Sequence, residues 1–170
     1  MRSARLNATA TNPLVEVAFG TLVLVGIIFV HGMAMRGITR RFSAAWVRVN
    51  AHTPRWRVSV LLSVVIGALT ATHLFETYLW ALPIAGLGMM NSMRDSYFFV
   101  LESYTTLGGG NVVLPEQWRL VGPMIGMSGI FTFGWTGSVL VTIMNELGKL
   151  DRTQATKDQR AGVPTDRTGS

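Results

Sequence analysis

The stretch Leu101–Pro115 reads LESYTTLGGGNVVLP. The pair Thr105–Thr106 leads into Leu107 and three consecutive glycines, with apolar sequence on either side. Glycine visits left-handed backbone about as readily as right-handed, so this is the most permissive segment of the chain. The flanking blocks are apolar enough to belong in a bilayer. A flexible backbone between two such blocks needs a reason.

Composition sets the medium. About half of the 170 residues are apolar, only 14% are charged, and there is no cysteine. Low charge with long apolar runs is a membrane signature. The missing cysteines exclude disulfides, thiol catalysis and cysteine metal sites. A bilayer core of about 30 Å takes about 20 helical residues. Three segments meet that length: 13–35, 58–82 and 120–144. The first is longer than a signal-peptide core and is read as a retained span.

Arginine sets the orientation. Arg36, Arg40, Arg41, Arg48, Arg55 and Arg57 lie in a first loop with no acidic residue. Lys149, Arg152, Lys157, Arg160 and Arg167 follow the last span. The positive-inside rule places both in the cytoplasm, and the N-terminus and glycine loop outside. Residues 1–35 are thus an N-terminal segment with a first span, and 36–57 a basic loop. Residues 58–147 form a central unit, and 148–170 a cytoplasmic tail expected to be disordered. Ile38, Phe42, Ala45, Trp46 and Val49 recur at helical spacing. The basic loop is therefore either a short helix on anionic lipid or a solvated loop.

Residues 92–105 are too short and polar to span but can form a half-crossing helix. Ser92 and Asp95 have capping-box spacing. The negative end of its macrodipole points at the membrane centre and favours a cation there. The glycines then allow successive carbonyls to face one axis, as a column that replaces the hydration shell of a monovalent cation. One chain supplies one wall; closure takes several copies, most simply four.

At these residues the chain resembles small bacterial potassium-channel-like ion channels, here with one extra N-terminal span. ESYTTLGGGN is similar to their pore loop, SGIFTFGW to their inner helix and THLFETYLWAL to an outer helix. The resemblance covers about residues 71–145. It implies an all-α membrane protein with three transmembrane helices and a re-entrant pore helix, assembled as a homotetramer in the bacterial inner membrane. The outer helix is expected at 58–82, the pore helix at 92–105, the filter at 106–111 and the inner helix at 120–145. It further implies that Thr105, Thr106, Leu107, Gly108, Gly109, Gly110 and Asn111 line the ion filter. Glu102, Phe98 and Phe99 support it from behind, and Gly129, Phe133 and Gly134 mark a gating hinge. Permeant potassium, with sodium also considered, is the only ligand implied. No catalysis, cofactor or nucleic-acid partner is expected, and no metal beyond permeant cations.

Two positions depart from that family. Gly109 stands where it has an aromatic, and Asn111 where it has aspartate. The aromatic packs sideways on the pore helix, where Phe98 and Phe99 offer no hydrogen-bond donor. A looser or wider outer filter with altered selectivity is expected; the alternative is a non-selective or non-conducting homologue. Outside the filter, His73 and Glu76 are three residues apart on the second span. They are read either as a metal pair or pH sensor, or as hydrogen-bonding groups that fix the pore helix from behind. His31 and Glu16, near opposite ends of the first span, are expected at the interfaces. Gly126, Gly134 and Gly137 read as packing glycines as well as hinge candidates.

Overall fold

In lipid, backbone polar groups must be satisfied within the segment, so long apolar runs fold as helices. The computed structural model describes residues 13–50, 53–108, 110 and 112–161, leaving aside the side chains of 154 and 157–161. Four α-helices are present among them: α1 (Pro13–Trp46), α2 (Arg55–Gly86), α3 (Met93–Tyr104) and α4 (Val121–Ala161). A single 3-10 turn, Glu116–Trp118, precedes α4. Helices α1, α2 and α4 are long and apolar enough to cross a membrane. With 12 residues, α3 is about 18 Å long, too short to do so.

The packing follows from one buried stripe per helix. On α1 the stripe is Glu16, Gly20, Ile27, His31, Met35 and Phe42, at helical spacing. Helix α1 packs against both α2 and α4, and α3 packs against both as well, whereas α2 and α4 barely touch each other. Thus α1 and α3 are two wedges between the same pair of helices. One core joins Ile27, Trp80, Ile84, Val100, Tyr104 and Ile125. A second, on Met35, Phe42, Val65, Leu69 and Ile143, closes the other end.

Glycine lets α3 come close. Gly122, Gly126 and Gly129 face it from α4. A Cβ at Gly122 would stand 3.2 Å from the Phe99 ring, and one at Gly126 3.2 Å from the Ser103 carbonyl oxygen. At Gly129 a Cβ would overlap the Tyr104 carbonyl oxygen. On α1, Gly20 receives the Met124 side chain, and a Cβ at Gly32 would stand 3.0 Å from the Trp135 ring. A mid-span tryptophan therefore fills a helix–helix notch. A Cβ at Gly134 or Gly137 would meet nothing within 4 Å beyond its own helix backbone in this single chain.

Several expectations change. Residues 36–46 continue α1, and Ile38, Phe42 and Trp46 pack against α2 and α4 side chains rather than forming a separate surface helix. The helix expected to end at residue 145 runs to Ala161, so 148–161 are helical rather than disordered. Residues 1–12, 51–52 and 162–170 lie outside the described residues. The outer helix is longer than 58–82, because arginines at one end and Pro83 at the other are both accommodated. Gly129, expected to mark a gating hinge, also makes a close contact that the sequence did not single out: only hydrogen fits against the Tyr104 carbonyl.

Alanine stiffens a helix relative to glycine by about 1 kcal/mol, whereas overpacking costs about 1–3 kcal/mol. Thermal unfolding in detergent should therefore show Gly129→Ala destabilised and Gly134→Ala neutral or stabilised. A stabilised Gly129→Ala would return that residue to a purely flexible role.

Candidate functional site

The site begins with how α3 starts and stops. Ser92 has extended backbone, and its hydroxyl oxygen accepts the Asp95 amide at 3.0 Å, the N-cap bond expected from the spacing. At the other end, the Leu107 amide donates to the Glu102 carbonyl at 2.9 Å and the Thr106 amide to Ser103 at 3.0 Å. This 6→1 and 5→2 pair is a Schellman cap, which needs a left-handed residue at Thr106. Thr106 has φ 58° and Gly108 φ 60°. Glycine adopts that region freely, but a β-branched threonine is strained there by about 1–2 kcal/mol. Thr105 sends its hydroxyl back to the Leu101 carbonyl at 2.7 Å.

Among the residues expected in a filter, Thr105, Thr106, Leu107 and Gly108 are exposed in the single chain. Gly110 lies so close to the Glu102 carboxylate that a Cβ there would overlap it. Gly109 and Asn111 lie outside the described residues. Phe98 is 47% exposed, and Phe99 packs on Gly122. Phe133 stacks near His73 and Tyr104, with centroids 4.6 and 5.3 Å away, so it covers the polar groups behind the turn.

Those groups form a cluster to which all four helices contribute. Glu76 on α2 is fully buried. One carboxylate oxygen accepts from His31 Nδ1 of α1 at 2.8 Å, the other from the Tyr104 hydroxyl of α3 at 2.6 Å. Tyr104 also meets the Thr132 hydroxyl of α4 at 2.5 Å and His73 Nδ1 at 3.1 Å. His73 Nε2 lies 3.0 Å from the Thr136 hydroxyl. One turn away, Trp80 donates its indole N–H to Ser128 at 3.2 Å, with both residues fully buried. Isolating a carboxylate in an apolar interior costs several kcal/mol, and these donors offset that cost.

The pair His73 and Glu76 thus belongs behind α3 and holds its C-terminal end. His31 and Glu16, expected at the membrane interfaces, are both covered by other helices. His31 is fully buried, and Glu16, at 4% exposure, accepts the Leu120 amide at the start of α4. Glu16 therefore serves α4 as an N-terminal acceptor supplied by another helix. The signal for both was the spacing Glu16–Gly20–Ile27–His31–Met35, which puts them on the small and apolar face of α1. Likewise Ser128, Thr132 and Thr136 stand four apart on one face of α4.

Removing one donor from a buried carboxylate costs about 1–3 kcal/mol, whereas an ordinary interhelical hydroxyl bond in a membrane averages about 0.6 kcal/mol. Tyr104→Phe should therefore destabilise the fold more than Thr132→Val in equilibrium unfolding. In a double-mutant cycle Tyr104→Phe and Glu76→Gln should couple strongly, whereas independent costs would disprove a shared network.

Models of protein families, curated proteins and solved structures provide no match to this chain.

Proposed function

We propose that this chain is the pore-forming subunit of a potassium-channel-like cation channel. Copies of it, most simply four, surround one axis in a bacterial inner membrane, with the N-terminus outside and the C-terminus in the cytoplasm. Helix α3 is the re-entrant pore helix. Monovalent cations, potassium and also sodium, pass down their gradient along the carbonyls of the 105–111 segment. Anionic lipid meets the arginines of α1 and the following loop.

The observation that carries this reading is the turn after α3. A helix too short to span is wedged between two spanning helices, and its end is braced by a buried cluster. It then delivers backbone that is left-handed at alternate residues, Thr106 and Gly108. Alternation of this kind turns successive carbonyls to one side. The exposed side of the same turn borders a groove of about 440 Å³, lined by Phe99, Thr106, Val113, Gly126, Met127 and Ile130. Contiguous apolar surface of this sort fits a neighbouring copy. Selectivity is weakened by Gly109, which supplies no aromatic brace.

Thr106→Gly separates a channel from a protein in which this turn only caps a helix. Glycine relieves the left-handed strain, so the fold should be as stable or more so by about 1 kcal/mol. In a channel, loss of the threonine oxygen and stiffness should at the same time change conductance and the potassium-to-sodium permeability ratio in bilayer recordings. Silence of the unaltered protein in both salts would favour the non-conducting reading.

A further inference from the structure

The Thr136 hydroxyl is the meeting point of more lone pairs than it can satisfy. His73 Nε2 is 3.0 Å from its oxygen, His31 Nε2 3.5 Å and the Met35 sulfur 3.9 Å. The other bonds of the cluster fix the tautomers. His31 Nδ1 donates to Glu76, so with a neutral ring its Nε2 is an acceptor. The Tyr104 hydrogen goes to Glu76, so His73 Nδ1 donates to the Tyr104 oxygen, and its Nε2 is an acceptor too. Thr136 has one hydrogen. Two imidazole nitrogens and a thioether therefore compete for it in a buried site.

We propose that these three donors form a binding site for one soft monovalent transition-metal cation, Cu(I), between α1, α2 and α4. His31, His73 and Glu76 already bring donor atoms within 4.8 Å of one another. All three donor atoms lie within 3.9 Å of the one Thr136 oxygen, so they converge on a single place between the helices. Glu76 holds His31 through its Nδ1–H, the outer-shell carboxylate arrangement that orients a metal-binding imidazole. A thioether beside imidazoles selects Cu(I) over harder ions. Charge points the same way. The cluster faces Glu76 and Tyr104 along with the two histidines, so a monocation with the Glu76 carboxylate is neutral, whereas a dication leaves a buried positive charge. A proton can serve one nitrogen, but it does not use the sulfur. His73 is the group with access, its side chain 14% exposed while those of His31 and Glu76 are fully buried.

The test uses the full chain in lipid nanodiscs, titrated with Cu(I) under ascorbate against a chromophoric Cu(I) chelator. One Cu(I) should bind per chain. His31→Gln and His73→Gln should each weaken it by at least about 10-fold, and Met35→Leu should weaken Cu(I) while leaving helicity by circular dichroism unchanged. Because His31→Gln also removes a donor from Glu76, X-ray absorption on the unaltered protein gives a reading independent of folding. It should show two nitrogen scatterers near about 2.0 Å and one sulfur near about 2.3 Å. A shell without sulfur, tighter binding of Co²⁺ than of Cu(I), or binding unchanged in both histidine variants would overturn the site.

Discussion

A carboxylate in an apolar interior has to be satisfied, and everything at the centre of this protein is arranged around that need. Glu76 takes hydrogen bonds from α1 through His31 and from α3 through Tyr104, and Tyr104 carries the connection on to Thr132 of α4. Ordinary helix contacts in lipid are non-directional and weak, because lipid tails are as apolar as leucine. A fully bonded buried network is different. It selects one rotation and one depth for each helix, since a slip by one residue would leave a charge without a donor.

The position of α3 shows the consequence. Its own apolar surface is modest, and 12 residues do not form a stable isolated helix. It is held by close approach to Gly122, Gly126 and Gly129 on one side and by the Tyr104–Glu76 bond on the other. The cap that ends it comes two residues after Tyr104, so the tyrosine that closes the polar network also sets where the left-handed turn emerges. The brace and the proposed ion path are mechanically one unit, linked through Tyr104 and the strained Thr106.

The long helices add a second layer. Helices α1 and α4 extend beyond what a bilayer core requires, about 51 and 62 Å for 34 and 41 residues. Their far ends stay packed through Phe42, Val65, Leu69 and Ile143. Arginines line the outside of that end, with Arg36, Arg40 and Arg41 on the part of α1 that continues past Met35. The first part of what reads in the sequence as a basic loop, residues 36–46, is the outward face of a packed helix.

The three long helices, the short fourth and its Ser92 cap were legible from apolar run lengths and capping spacing, because those signals are local. The same holds for the pairing of His73 with Glu76, three residues apart on one helix. The partners of that pair were not legible. His31 is 45 residues from Glu76 in sequence, and Thr132 and Thr136 are farther still, so no spacing rule connects them. The lengths of α1 and α4 also escaped, because polar residues that end a membrane span do not end a helix with packing partners on its other face. Gly129 shows the division clearly. Its sequence context reads as a hinge, and only the tertiary structure shows the Tyr104 carbonyl lying against it. Sequence alone determined which segments are helical and apolar. Tertiary structure decided which polar side chains those helices bring together, because satisfying a buried charge is a long-range requirement.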